Sequence, residues 1–164
     1  MIIRPSTEED SAEIDNLLIT SYTELMKNHY SPNILHPALV LIAKSRPELL
    51  SSGTYFVATT NSEKIIGCGG WTKYSPDTKE TQSNIGHVRH FAIHPNYTKQ
   101  GIGRKIFENC QTQAQKNSIS EFECYSSLNA ENFYKSLGFK TISTTEIPLS
   151  PDVIFPCLFM KKYL

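Results

Sequence analysis

Gly86–Phe107 reads GHVRHFAIHPNYTKQGIGRKIF, a stretch that predicts a strand, a loop and a helix in succession. Val88–Ile93 is rich in β-branched and aromatic residues, which favour strands. Pro95 then ends the strand, because proline cannot donate a hydrogen bond to a ladder. Four apolar residues follow at four-residue spacing and indicate one face of a helix. They are Ile102, Ile106, Cys110 and Ala114.

A glycine-rich turn opens that helix. The start of a helix carries unpaired backbone N–H groups and the positive end of the helix dipole, and glycine lets an anion come close to the backbone. A diphosphate is the natural ligand of such a turn, and two basic side chains add positive charge beside it. A lone Gly-x-Gly also begins many helices that bind nothing, so the turn decides little by itself. The candidate binding residues are Lys99, Gln100, Gly101, Ile102, Gly103 and Arg104.

A second stretch lies downstream, at Asn129–Phe139, and reads NAENFYKSLGF. It predicts a short helix that carries Tyr134 and follows a strand ending at Tyr125. Together the two stretches resemble the GNAT superfamily of acetyl-CoA-dependent N-acetyltransferases. The family's glycine turn reads Arg/Gln-x-x-Gly-x-Gly/Ala, and here it reads Thr98-Lys99-Gln100-Gly101-Ile102-Gly103. The family's second signature is matched here by Ala130, Phe133, Tyr134, Gly138 and Phe139.

Two positions depart from the family pattern. Thr98 stands where the family has Arg or Gln, and Ser127 stands where it has Asn, with Asn129 two residues further on. The resemblance covers the C-terminal two thirds of the chain. Two alternatives stay open at this point: a module of the same fold that binds an acyl-CoA and transfers nothing, and an unrelated nucleotide-binding α/β domain.

The resemblance implies where acetyl-CoA would bind. Its pyrophosphate would rest on the glycine turn, and its pantetheine arm would lie between a fourth and a fifth strand that splay apart. Backbone groups of Phe91, Ala92 and Ile93 would pair with that arm. The implied contacts are completed by Ser127, Asn129 and Tyr134.

The resemblance also implies how an amine would be acetylated. A lysine-like amine has a pKa of about 10.4 and is only about 0.04% neutral at pH 7, so a base must remove its proton. The family draws this base from the fourth strand, at positions that here hold His87 and Arg89. Arg89 stays protonated, whereas His87, with a reference pKa of about 6.5, can accept a proton. A backbone-held water could replace His87, and a histidine that only forms hydrogen bonds is the structural alternative.

Other roles follow from the same resemblance. Tyr134 aligns with the family's tyrosine acid, which would protonate the leaving thiolate, and packing beside Phe133 is the alternative. The acceptor, a small-molecule or peptide amine, would lie near the first two helices. Its candidate contacts are Tyr22, His29, Tyr30 and Arg89, and for the first three packing in a loop or core is an equal alternative. His90 is expected on the face of the strand opposite His87, unless a bulge intervenes.

Length and composition limit the number of domains, the kinds of partner and the cellular location that the sequence allows. The chain has 164 residues, which suits one domain, residues 1–164. A formal net charge of zero predicts no nucleic-acid or membrane partner, and it indicates neither a basic surface for acidic acceptors nor an acidic one for polyamines. Four scattered cysteines and no signal peptide indicate a cytoplasmic protein. His87, His90 and His94 lack a fourth ligand nearby, so no metal is expected. Either a monomer or a homodimer is compatible with the sequence.

Strands and helices alternate along the chain, with hairpins in its first half, which predicts an α/β (α+β) fold. We expect a GNAT-like, mixed and mostly antiparallel central sheet of about six to seven strands, flanked by about four helices. A second helix is predicted to begin near Pro37, and Pro47 to end or kink it. The other strands are predicted at Ile2–Arg4, Thr54–Thr59, Lys64–Trp71, Glu121–Tyr125, Lys140–Thr144 and Ile154–Lys161.

Overall fold

The computed structural model describes residues Met1–Leu164 and contains a seven-stranded sheet. Its strands are β1 Ile2–Pro5, β2 Tyr55–Thr59, β3 Ile65–Thr72, β4 Ile85–Ile93, β5 Glu121–Ser126, β6 Lys140–Ser150 and β7 Val153–Tyr163. They lie in the order β1-β2-β3-β4-β5-β7-β6. Only β4 and β5 are parallel neighbours. The predicted mixed, mostly antiparallel sheet is confirmed.

Five helices connect these strands. They are α1 Ser11–Met26, α2 Pro32–Ile42, α3 Pro47–Leu50, α4 Ile102–Lys116 and α5 Glu131–Ser136. None of the five has the length and apolar character that crossing a membrane would require.

Several predicted boundaries are wrong, and two of them concern proline. Helix α2 begins at Pro32 after an extended Ser31, and Pro37 lies inside it. Pro47 opens α3 instead of closing α2. Both Pro32 and Pro47 sit in the first helical turn, where a missing N–H leaves no hydrogen bond unmade. The last two strands are longer than predicted, because β6 and β7 pair with each other as an extended hairpin.

Two apolar layers cover the sheet. One face packs against α4 and α5, where Ile106, Phe107 and Phe122 are almost fully buried. The other face packs against α1, α2 and α3, around buried residues such as Ile14 and Leu49. Burial of this kind stabilises the fold by about 1.5–3 kcal/mol per large apolar side chain. The sheet between the layers is therefore a rigid support for whatever lies at its edges and gaps.

Strands β4 and β5 pair over only a short distance. Their register joins Ile85 to Glu121, Gly86 to Phe122 and His87 to Glu123. Beyond His87, β4 continues to Ile93 beside β3 only, while β5, which pairs with β7 along its whole length, continues beside β7 only. The two strands thus separate in a V, and the splay that the family resemblance implied is present. The backbone of the far half of β4 is left without a partner on the β5 side.

A β-bulge interrupts β4 within this splayed half. One residue of β3, Gly69, lies opposite two residues of β4, His90 and Phe91. His90 has a φ of 47°, a left-handed conformation that residues with a side chain adopt infrequently. The bulge also breaks the alternation of side chains from which His90 was placed opposite His87.

Candidate active site

A cavity of about 1000 Å³ opens where β4 and β5 separate. It extends from the start of α4, past α5, to residues of α1 and of the β6–β7 hairpin. The structure brings most of the predicted site residues together on its walls. These are Tyr22, His29, Arg89, Phe91, Ala92, Ile93, Lys99, Gly101, Ile102, Gly103, Arg104, Ser127, Asn129 and Tyr134.

Three predicted residues do not line this cavity: His87, Gln100 and Tyr30. Gln100 is exposed and donates from its side-chain amide to the Asn96 carbonyl. Tyr30 is buried and stacks on Phe155, with ring centroids 4.6 Å apart. Its hydroxyl donates to the Pro156 carbonyl at 2.7 Å and accepts from the Leu128 N–H at 2.9 Å. The ring and hydroxyl of Tyr30 are thus engaged within the chain, which agrees with the packing alternative, and a contact with an acceptor stays a prediction.

One end of the cavity is the glycine turn. Gly101 precedes the first turn of α4 with a φ of 77°, and a Cβ added there would meet no atom within 4 Å. No side chain caps the helix, so its first N–H groups are free to bind an anion. Gly103 is needed for packing, because a Cβ there would lie 2.8 Å from the Phe133 ring. The turn is therefore an open, positively polarised cradle closed on one side by α5.

The middle of the cavity holds an unsatisfied polar atom. Asn129 Oδ1 is buried and has no hydrogen-bond partner within the chain. Leaving such an acceptor unpaired in a folded protein costs about 1–3 kcal/mol. A ligand with an N–H group lying between β4 and β5 would satisfy it. The pantetheine arm of a CoA carries two amide N–H groups, so the unpaired Asn129 Oδ1 and the uncapped turn at Gly101 both fit a bound CoA.

Tyr134 lies on α5 at the wall of the cavity. It is 7% exposed and packs against the rings of Phe91, Phe133 and Phe139. Burial raises the pKa of its hydroxyl well above 10, and the nearby Tyr22 adds to the effect. Tyr134 is therefore protonated at neutral pH and is a proton donor for a group bound in the cavity.

His87 lies behind the cavity wall, at the last point where β4 and β5 pair. It is 5% exposed, and its Nδ1 is 3.6 Å from Oε2 of Glu123 on β5. Lys161 of β7 binds the same carboxylate, with 2.8 Å between Nζ and Oε1. Burial lowers the pKa of His87, Glu123 opposes this, and Arg89 and Lys161 reinforce it. The imidazole is consequently neutral at pH 7, beside a carboxylate that stabilises its protonated form.

His90 is the imidazole of β4 that does line the cavity. Burial lowers its pKa to about 3, and the positive charges of Arg89 and Arg46 act in the same direction. The sequence placed His90 on the face opposite His87 unless a bulge intervened, and the structure contains a bulge at this point. The nearest signal was the glycine run in β3, where Gly69 faces the bulge.

The shifted pKa of His90 predicts an acid-sensitive stability. In the unfolded chain the pKa of this histidine is about 6.5, so the unfolded state binds a proton as the pH falls below that value. In the folded state His90 binds a proton only near pH 3, so acid favours the unfolded state. Lowering the pH from 7 to 5 should therefore reduce the free energy of unfolding by about 2 kcal/mol. Asparagine tolerates a positive φ and does not titrate, so the variant His90→Asn should lose about 2 kcal/mol less stability than the wild type between pH 7 and 5. Urea unfolding at both pH values measures it, and an unchanged pH dependence would contradict the assignment.

The charged side chains that line the cavity are mostly basic. Its only acidic side chain is that of Asp77, which is exposed. The basic ones are Arg46, Lys79, Arg89, Lys99 and Arg104. The zero net charge of the chain had indicated no basic surface for an acidic acceptor, and that expectation is wrong. A sum over the whole chain does not register how charges are distributed around one cavity.

Cysteines and possible metal ligands are not clustered in the structure. No group of three or more histidine, cysteine or acidic residues is placed to hold a metal ion. The four cysteines are all free and buried, and burial raises the pKa of Cys68 to about 12. Only Cys124 of the four lines the cavity.

Comparisons with known proteins agree with this arrangement. The family model for the acetyltransferase (GNAT) domain matches residues 34–147. The fold is similar to that of a GCN5-related N-acetyltransferase from Rhodopseudomonas palustris, with a TM-score of 0.77 at 18% identity over 99% of this chain and 95% of that one. A search of curated proteins found no significant match.

Two further similar structures were determined with ligands. The PaiA N-acetyltransferase from Thermoplasma acidophilum, in complex with coenzyme A, has a TM-score of 0.74 at 17% identity over 99% of this chain and 98% of that one. Rv2747 from Mycobacterium tuberculosis, in complex with CoA and NLQ, has a TM-score of 0.66 at 16% identity over 100% of this chain and 99% of that one. At these identities the likeness establishes the fold.

Proposed function

The chain belongs to the GNAT family of acetyltransferases and is an acyltransferase, and we propose that it moves an acetyl group from acetyl-CoA to a primary amine. The thioester would supply the activated acetyl group. The amine nitrogen attacks the thioester carbonyl directly, a C–N bond forms, the C–S bond breaks, and free CoA thiol leaves. No covalent bond to the enzyme is needed.

The observation that carries this proposal is one continuous cavity with three suitable parts. The cradle at Gly101 would take the pyrophosphate, with Lys99 and Arg104 beside it. The gap between β4 and β5 would take the pantetheine arm, and Asn129 Oδ1 offers it an unpaired acceptor. Tyr134 would then lie near the thioester. Two of the similar structures contain CoA, which supports the same use here.

We assign Tyr134 the role of assisting the departure of the thiolate. At reference values its pKa of about 10 exceeds the 8.5 of a thiol, so full proton transfer is uphill by about 2 kcal/mol. Burial raises the pKa of Tyr134 further, and the same desolvated cavity raises the pKa of a thiol held there, so the two shifts act against each other. The hydroxyl therefore stabilises the developing thiolate by a charge-assisted hydrogen bond and passes on its proton as the sulfur leaves.

We assign His87 the role of final proton acceptor for the attacking amine. It is neutral at pH 7 and its protonated form would be stabilised by Glu123. Because His87 does not line the cavity, the proton must reach it through water. His90 lines the cavity but, with a pKa of about 3, holds a proton too weakly for this role.

The role of His87 predicts a change in pH dependence. Both the amine and His87 must be neutral, so log kcat/KM of the wild type should rise with a slope of about 2 below the pKa of His87 and about 1 above it. In His87→Gln the slope should stay near 1 throughout, with a rate loss of about 100-fold above that pKa. A wild-type slope of 1 at all acidic pH values would remove His87 from the mechanism.

Free thiol formation tests the proposed function itself. Acetyl-CoA and the protein are mixed with a panel of primary amines, and thiol release is followed alongside the mass of the amine product. Thiol release that depends on the amine, with an acetylated product, supports the transferase. Binding of acetyl-CoA with no release from any amine would favour a module that holds an acyl-CoA and transfers nothing.

The cellular location proposed is the cytoplasm. The support is that all four cysteines are free, as expected in a reducing compartment.

A further inference from the structure

Arg89 is a buried cation that faces the acceptor end of the cavity and has no anionic partner. It is 5% exposed and lines the cavity. One Nη donates to Thr72 Oγ1 at 3.2 Å, and the guanidinium carbon lies 5.4 Å from the centre of the Tyr74 ring. The ion pairs of the chain all involve other residues. Buried charges are normally paired, so this guanidinium is an exception that needs an explanation.

The neighbours of Arg89 add positive charge. Lys79 Nζ lies 5.8 Å from the centre of the same Tyr74 ring, so two cations flank one aromatic side chain. Arg46, at the start of α3, also lines the cavity. Burial lowers the pKa of Arg89, the Tyr74 side chain opposes this, and Arg46 lowers the pKa further. This end of the cavity is therefore prepared to receive negative charge.

We propose that the amine acceptor carries a carboxylate, which binds the free N–H groups of Arg89 with Arg46 at the entrance. This inference rests on the proposed transfer reaction and adds the chemical class of the acceptor. A guanidinium presents a planar fork of N–H donors that matches a carboxylate in two parallel hydrogen bonds. Thr72 and the Tyr74 side chain interact with part of the guanidinium, which has five N–H donors. Acceptors of this class are amino acids and related aminocarboxylates.

The same charges also affect the reacting amine. A positive charge nearby disfavours the ammonium form of a bound amine and lowers its pKa. The carboxylate of such an acceptor stabilises its own ammonium form, and pairing that carboxylate with Arg89 would remove this effect. Arg89 would therefore both hold the carboxylate and make the amine easier to deprotonate. A polyamine acceptor, in contrast, would bring several positive charges into a cavity that already has five basic side chains.

Paired acceptors test this proposal. A series of α-amino and ω-amino acids is assayed against the amides of the same compounds, in the wild type, Arg89→Gln, Arg89→Lys and Arg46→Gln, by thiol release. The wild type should prefer the acid of the best pair by tenfold or more in kcat/KM. Arg89→Gln should lower this ratio of acid to amide rates to about one, because only the acid loses a carboxylate contact, whereas any effect of the charge on the amine pKa is shared by both members of a pair.

The control variants separate binding from folding. Lys140→Gln changes an exposed lysine of β6 outside the cavity and should leave the preference unchanged. Arg89→Lys keeps the charge but loses the fork, so it should retain only part of the preference. Arg46 is exposed, so Arg46→Gln should fold normally and reduce the preference by a smaller factor than Arg89→Gln.

Each remaining outcome has one meaning. Equal rates with acids and amides, or faster rates with amides, would overturn the carboxylate proposal and leave the transferase intact. A preference for acids that Arg89→Gln and Arg46→Gln both retain would also overturn it. If neither the acids nor the amides cause any thiol release, the proposed transferase activity and the proposed acceptor class are overturned together.

Discussion

Tyr134→Phe should lower kcat by about 100-fold or more, with little change in the Kd for acetyl-CoA. The substitution removes one oxygen and keeps the ring that packs against Phe91, Phe133 and Phe139. The fold and the cofactor site should therefore persist, and only the stabilisation of the leaving thiolate should be lost. Steady-state kinetics and calorimetric titration of the same preparation measure the two quantities.

A matched tyrosine controls for the loss of a hydroxyl. Tyr163 is 79% exposed at the end of β7, so Tyr163→Phe should leave kcat unchanged. Because the raised pKa of Tyr134 keeps it protonated, the variant should be slow across the whole neutral and mildly alkaline range. A Tyr134→Phe enzyme that turns over at the wild-type rate would show that the hydroxyl takes no part in the reaction.

Gly101→Val should raise the Kd for acetyl-CoA by at least about tenfold, which corresponds to about 1.4 kcal/mol. A β-branched residue is a severe misfit at a φ of 77°, and the turn would have to leave the left-handed region. The first N–H groups of α4 would then no longer converge on a pyrophosphate. Calorimetric titration with acetyl-CoA measures the loss.

The chain provides a close control for this change. Gly53 has a φ of 72° in the turn before β2, and a Cβ there would also meet nothing within 4 Å. Gly53→Val should therefore impose a similar backbone strain and lower Tm by a similar amount. It should bind acetyl-CoA like the wild type, since Gly53 does not line the cavity. Equal losses of affinity in both variants would trace the effect to general destabilisation.

The part of the site that local chemistry defines could be predicted from the sequence. The turn at Gly101 is specified by residues adjacent in the chain, because helix start, glycine and basic side chains act within one turn. Tyr134 was placed by its spacing from Gly138 and Phe139 within a family signature. The structure brings both to one cavity because β4 and β5 part after His87, a geometry that the family resemblance implied.

The part of the site that depends on strand register, and on how far the cavity extends along β4, could not be predicted from the sequence. Side-chain alternation correctly grouped His87 with Arg89, but it does not tell how far along the strand the cavity begins, and only Arg89 reaches it. The bulge at His90 depends on the pairing of β4 with Gly69, which two distant segments decide together. Likewise the helix start was predicted near Pro37, whereas α2 begins about one and a half turns earlier, at Pro32.

Charge was the least predictable property. Arg46, Lys79 and Arg89 are far apart in the sequence and belong to a loop, a second loop and a strand. They converge only because the fold brings the start of α3 and the segment after β3 to the same end of the cavity. A chain with equal numbers of acidic and basic residues can thus form a cavity lined mostly by basic side chains.

The measurement that tests the central claim most directly is a calorimetric titration of the wild-type protein with acetyl-CoA, with inorganic pyrophosphate and ATP as competitors. The account predicts binding of one acetyl-CoA per chain, weakened in Gly101→Val and unchanged in Gly53→Val, with thiol released when an amine acceptor is then added. No binding, or binding that ATP displaces as readily as CoA does, would contradict the assignment of the cavity between β4 and β5 to acetyl-CoA.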